Sequence, residues 1–206
     1  VQKQAEGIGD KYFISASLNN IGGIYSDKGD PDIALDFYNR SLKIKEEIGD
    51  EHGLAQGYRN LGNIYCQIGE IDKCLELLIR GLRIGEKLDD KDGMANSYHS
   101  IGYAYWKKFD YDSALLYYTH SVKIKEELEY KFNYTLNNIG VLSRNKGDYE
   151  KAIDIFTRTL KVEEELKRNM GILFSAHNLG NTYYYLENYS KAREHLEKSL
   201  GIQKEI

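Results

Sequence analysis

The segment LNNIGGIY at residues 18–25 is written again as YRNLGNIY at 58–65, YHSIGYAY at 98–105, LNNIGVLS at 136–143 and AHNLGNTY at 176–183. Gly22, Gly62, Gly102, Gly140 and Gly180 mark the five copies, at intervals of 40, 40, 38 and 40 residues. Self-similarity at such a period is the signature of a stacked solenoid, in which each unit buries its apolar face only against its neighbours. Function in such a chain is to be sought on a surface rather than in a closed pocket.

Outward from the first copy, Leu18, Ile21 and Tyr25 recur at helical spacing, and Gly29-Asp30-Pro31 then supplies a helix-ending glycine, an N-cap and a first-turn proline. A second helix follows, with an apolar stripe of Ile33, Ala34, Phe37, Tyr38, Leu42 and Ile48 that includes a small residue where a neighbour must approach. Its N-cap slot reads Asp30, Glu70, Asp110, Asp148 and Asn188 along the chain, good capping residues except Glu70. The repeated glycine lies inside the first helix, where it costs about 1 kcal/mol against alanine, a cost that tight helix packing offsets. Gly49-Asp50 with Gly53, and Asp89-Asp90 with Gly93, turn the chain into the next unit. The reading is all-α: one array of helix-turn-helix units at about 11–50, 51–90, 91–129, 130–168 and 169–206. The connector near Glu129-Tyr130-Lys131-Phe132 is short and lacks the glycine, which predicts a local change of pitch. Glu6-Gly7-Ile8-Gly9-Asp10 shares the phase of Glu46-Glu47-Ile48-Gly49-Asp50, so the chain is expected to open in the tail of an earlier second helix and to belong to a longer protein.

Composition narrows the function classes. The 206 residues carry a formal charge of −4 and no block of Lys and Arg, which argues against a nucleic-acid or membrane-surface role for this segment. No stretch approaches the roughly 20 apolar residues of a membrane span, and residues 1–15 lack the apolar core of a signal peptide. Cys66 and Cys74 are the only cysteines and form no CxxC, so neither a disulfide framework nor a zinc site is expected and a reducing, cytoplasmic setting is the default. Cys74 fills the small-residue slot of Ala34, Ala114, Ala152 and Ala192, whereas Cys66 reads as a helix-surface thiol.

The spacing of Gly22, Tyr25, Ala34, Tyr38 and Ser41 resembles the tetratricopeptide repeat, whose pattern runs L-G-x-x-Y, then Ala, an aromatic and a small residue. All five units match, with Ser143 departing where the others keep tyrosine, whereas HEAT and armadillo patterns fit poorly. The usual unit is about 34 residues; here it is near 40, so the second helix is expected to run on by a turn or more. Lengthened units with Leu61-Gly62-Asn63 or Leu179-Gly180-Asn181 resemble those of Pins-type adaptors, kinesin light chain and bacterial sensor and regulator proteins. The resemblance implies an α-α superhelix whose first helices line a concave face, and a non-enzymatic protein–protein interaction module holding a peptide or partner protein there.

On that reading the groove rows follow. Asn19, Arg59, His99, Asn137 and His177 stand three positions before each glycine; Gly23, Asn63, Tyr103, Val141 and Asn181 stand just after it. One turn further come Ser26, Cys66, Trp106, Arg144 and Tyr184, with Asn20, Asn60, Ser100, Asn138 and Asn178 beside the first row. Amides offer a donor and an acceptor to an extended backbone, and aromatic rings offer apolar anchors. The candidate partner-binding set is therefore Asn19, Arg59, Asn63, His99, Tyr103, Trp106, Asn137, Arg144, His177, Asn181 and Tyr184. The runs Lys43-x-Lys45-Glu46-Glu47 and Glu163-Glu164-Glu165 read as solvated outer faces. A carboxylate clamp of the chaperone-binding kind is rejected, since Ser100, Tyr134 and Asn138 occupy positions where it needs Asn, Lys and Arg.

No phosphate-cradling loop, dinucleotide fingerprint, HExxH or GxSxG occurs, so neither catalysis nor a cofactor is expected. His99 and His177 share a face two repeats apart, too far for one metal. Two other functional readings stay open: a regulatory sensor segment attached to a kinase or transcription regulator, and a scaffold that self-associates through open solenoid ends.

Overall fold

The computed structural model describes residues 2–130 and 134–205, and of residues 2–6, 8 and 205 the backbone alone. The described residues form ten helices and no strand: α1 (Gln2–Lys28), α2 (Pro31–Ile48), α3 (Glu51–Gln67), α4 (Ile71–Lys87), α5 (Lys91–Lys107), α6 (Tyr111–Glu127), α7 (Tyr134–Asn145), α8 (Tyr149–Glu165), α9 (Asn169–Tyr185) and α10 (Tyr189–Glu205). Odd-numbered helices are the first, and even-numbered the second, of each repeat. The second helices are 17 or 18 residues long, the extension expected from the long period.

Each turn is closed by a residue in the left-handed region. Gly29, Gly49, Gly69 and Gly147 do this without strain, while Asp89, Phe109, Glu129, Lys167 and Glu187 do it with φ between 52° and 61°. The side chains of Asp110, Asp148 and Asn188 accept from the N–H groups of Ser113, Lys151 and Lys191. Asp30 makes no such bond, and Pro31 sits at the start of α2 with no N–H to satisfy.

The repeated glycine works as expected. A Cβ built on Gly22 would lie 2.9 Å from the Tyr38 ring, on Gly62 2.8 Å from Leu78, on Gly140 2.6 Å from Phe156 and on Gly180 2.6 Å from Leu196. In these four repeats one bulky residue of the second helix thus rests on the backbone of the first. The small slot of Ala34, Cys74, Ala114, Ala152 and Ala192 is at most 3% exposed.

The chain divides into two compact units, residues 1–117 and 118–206. The first is cored by Ala34, Tyr38, Leu61 and Ile64, then by Leu75, Leu78, Leu82 and Ile101. The second is cored by Ala152, Phe156, Leu160, Ile172 and Leu179. Within each unit helices pack on their chain neighbours, and first helix meets first helix in α3 with α5 and α7 with α9.

Four expectations need correction or placement. No break occurs at Gly9-Asp10: α1 runs through it, because an isolated glycine weakens a helix by about 1 kcal/mol without ending it. Cys66 is 1% exposed and is disulfide-bonded to Cys74, their Cα atoms 5.2 Å apart across the α3/α4 turn. Lys45 and Glu163, read as outer-face charges, are 4% and 0% exposed; Glu163 lies against Gly171 of α9, and Lys45 lines a recess between α1 and the start of α3. The change of pitch expected at Lys131-Phe132 lies outside the described residues.

Candidate functional site

In the first unit the candidates stand on α1, α3 and α5. The α-helical phase puts Asn63 and Gln67 on one stripe of α3, and His99 and Tyr103 on one stripe of α5. These four, with Ser100, line a recess of about 320 Å³. Three candidates therefore converge, in a lining dominated by amide, imidazole, hydroxyl and phenol groups. Gln67 was not in the sequence-derived set, although its place four residues after Asn63 was the signal for it. The Tyr103 ring stacks with Trp106 at 5.8 Å and has the Lys107 ammonium 5.7 Å from its centroid. Trp106 is half-buried and serves as a backing for Tyr103 rather than as a wall of the recess.

Asn19 and Arg59 are half-buried on α1 and α3. Asn19 Oδ1 accepts from Asn60 Nδ2 at 2.9 Å, so one amide of the candidate row is committed to joining consecutive first helices. Cys66, which shares the Trp106 register, is withdrawn from this face by its bond to Cys74.

In the second unit the candidates stand on α7 and α9. His177 and Asn181 are one turn apart on α9 and meet at 2.9 Å through Nε2 and Nδ2, so the imidazole accepts when the amide donates. Arg144 Nη1 points to Asn178 Oδ1 at a long 3.5 Å. Burial pushes the Arg144 guanidinium below its ordinary pKa, and the nearby Tyr185 hydroxyl opposes that shift. Asn137 turns to its own hairpin, where Oδ1 accepts from the Thr159 hydroxyl at 3.1 Å. Tyr184 is 59% exposed and contributes to an apolar depression with Tyr189, Leu196 and Leu200 of α10. His177 and Asn181 thus form one polar pair, while Asn137 and Tyr184 face other surroundings.

Among the described residues no group of three or more His, Cys, Asp or Glu is placed to hold a metal ion, and no helix is long and apolar enough to cross a membrane. Lys43 and Lys123 are exposed on second helices. Lys11–Glu47 and Lys87–Glu51 join neighbouring helices at 2.8 and 2.6 Å on the surface, where such pairs contribute little.

The family model described as tetratricopeptide repeat matches residues 13–73, 53–127 and 132–205. Among solved structures, the chain is similar to BtubC (BKLC) from P. vanneervenii, with a TM-score of 0.82, 19% identity, and coverage of 94% of this chain and 81% of that one. A STAND protein with a tetratricopeptide repeat sensor from Pyrococcus horikoshii gives a TM-score of 0.82 at 21% identity over 91% of this chain and 29% of that chain. A Rap protein complexed with competence and sporulation factor gives 0.75 at 16% identity over 97% and 65%. At these identities the likeness is one of fold. No curated protein sequence matches the chain.

Proposed function

The chain belongs to the tetratricopeptide repeat family, an interaction scaffold, and on that premise we propose that its first helices hold an extended segment of a partner protein. The observation that carries this reading is the convergence of Asn63, Gln67, His99 and Tyr103 on one recess. Amides with both donor and acceptor suit a peptide backbone, and a braced aromatic ring suits an apolar side chain. No bond-making step is assigned to this surface, where open carboxylates lack the desolvation that separates pKa values.

A peptide selected from a random library against the folded chain supplies the probe. Titration calorimetry should then show Asn63→Ala and Gln67→Ala each weakening binding by about 0.5–1.5 kcal/mol through a lost hydrogen bond. Tyr103→Ala should cost about 2 kcal/mol or more as a buried anchor. Lys43→Ala and Lys123→Ala should change affinity by less than about 0.5 kcal/mol. The reverse pattern, with critical lysines and silent amides, would move binding to the second helices. The STAND protein's repeat sensor supports a second reading, in which occupancy of this surface is reported to an attached domain.

A further inference from the structure

A second recess, of about 340 Å³, lies between the first two repeats and is lined by Asn19 and Asn20 of α1, Lys45 of α2, and Asp50, His52 and Gln56 at the start of α3. Lys45 is 4% exposed. Among the described residues its side chain has neither a hydrogen bond nor an ion pair; the one charge that acts on it is Asp50. Burial without a close partner is costly for an ammonium, and it pushes the Lys45 pKa below the ordinary lysine value while Asp50 opposes that shift.

The corresponding positions in the other repeats carry different chemistry: Glu163 is a buried carboxylate and Gln203 an exposed amide. Forty residues after Lys45, Gly85 has no side chain to bury, and its surroundings are closed by Met94. Lys125 is equally buried at 5%, but its Nζ sits 4.0 Å from the centroid of the Tyr134 ring, which supplies a cation–π partner. Lys45 has no such ring: its stem is buried and the side chain lines the recess. In the rest of the lining Asp50 caps the Gly53 N–H at 2.8 Å and His52 Nε2 is 3.2 Å from Asp90, while the amide N–H groups of Asn19, whose Oδ1 is turned to Asn60, and of Asn20 and Gln56 are donors.

We propose that this recess binds a carboxylate, received by Lys45 Nζ and by the amide donors of Asn20 and Gln56. A single ammonium with Asp50 in the same wall matches a singly charged, planar group better than a doubly charged phosphate, which Asp50 would repel more strongly. The carboxylate restores the partner that burial denies Lys45. Its source is either the C-terminus or an acidic side chain of a peptide. The site lies outside the recess of Asn63 and Tyr103 and its occupancy does not depend on that reading.

Small probes test it without any partner peptide. N-acetylglycine carries an α-carboxylate, the α-amide of N-acetylaspartate carries only a side-chain carboxylate, and N-acetylglycinamide carries neither. Titration of each into the folded protein, followed by the Lys45 Cε–Hε resonance and the Gly53 and Gln56 amides, should give saturable shifts for one or both carboxylates, on the order of millimolar affinity. The stronger of the two identifies the source. N-acetylglycinamide and inorganic phosphate should produce no saturable shift. Lys45→Met should weaken the carboxylate about tenfold or more, Lys125→Met should leave it unchanged, and Asn20→Asp, at an exposed position, should weaken it without touching the buried lysine. Saturation by N-acetylglycinamide, stronger binding of phosphate, or no saturable shift with either carboxylate would each overturn the assignment. So would unchanged affinity in the Asn20→Asp variant.

Discussion

Gly22 and Gly23 are neighbours on α1, yet a methyl group added at each meets different surroundings. At Gly22 it would fall 2.9 Å from a Tyr38 ring that is itself 6% exposed and has nowhere to go; at Gly23 its nearest contact is the Tyr38 hydroxyl at an ordinary 3.6 Å. Gly22→Ala should therefore destabilise by about 1–3 kcal/mol through overpacking, whereas Gly23→Ala should stabilise by up to about 1 kcal/mol through helix propensity. Urea midpoints of the two variants moving the same way would show that the repeated glycine is not a packing position. Glu163 poses the opposite problem, a carboxylate with no exposure and no hydrogen-bond partner for either oxygen. It lies against the first turn of α9, and Gly171 leaves room for it, since a Cβ there would meet the carboxyl group. The helix terminus favours a negative charge, but without an N–H in reach desolvation dominates and the Glu163 pKa rises, with Arg168 opposing. A carboxyl raised on folding adds stability fully present below its unfolded pKa and lost as pH rises through its folded one. Glu163→Gln should thus melt higher than the parent at pH 8, and that advantage should shrink toward pH 4. A pH-independent difference would mean that charge is not the cause.

At the scale of the helical hairpin, the left-handed turn residue is the joint that the sequence wrote in two alphabets. Gly69 adopts φ of 88° freely, while Glu187 holds 57° with a side chain in place. A non-glycine residue in this region costs roughly 1–2 kcal/mol, of which glycine's greater freedom in the unfolded chain returns about 0.5–1. Glu187→Gly should raise the melting temperature by a few degrees at most, and Gly69→Ala should lower it; equal and opposite effects of sign reversed from these would place the turn strain elsewhere. The hairpins themselves were legible because apolar residues every three or four positions, punctuated by Gly-Asp, leave no other element possible. The disulfide was not. Cys66 shares its register with Ser26, Trp106, Arg144 and Tyr184, a row with no common chemistry, so nothing in the row marked it as inward-facing. What joins it to Cys74 is the antiparallel return of the chain, which brings positions eight residues apart to 5.2 Å between Cα atoms.

Over the whole chain, repetition makes the fold readable and the partner unreadable. The positions that pack keep their character in every repeat, so the glycine of Gly22, the small residue of Ala34 and the large apolar residue of Tyr38 recur five times over, but the positions that could bind differ from repeat to repeat because nothing internal constrains them. The amide and aromatic rows of the first helices were therefore legible as a surface, and Asn63, His99 and Tyr103 do share a recess, while Asn137 is taken by Thr159 and the buried Lys45 was hidden in a charge run that reads as solvated. The same nearest-neighbour construction makes a prediction about cooperativity. Among the described residues the main helix contacts within each unit are between chain neighbours and between adjacent first helices, so stability is expected to be a sum of local terms rather than a property of one core. A methyl group at Gly62 would press on Leu78 and on the Cys74 carbonyl at 2.8 and 3.2 Å, loosening α3 against α4. Hydrogen exchange followed by mass spectrometry on Gly62→Ala should accordingly show faster exchange in α3 and α4, a smaller rise in α2 and α5, and unchanged rates in α9 and α10. Acceleration by one common factor in every helix would instead mean that opening requires the whole chain to unfold, and the additive picture would have to be given up.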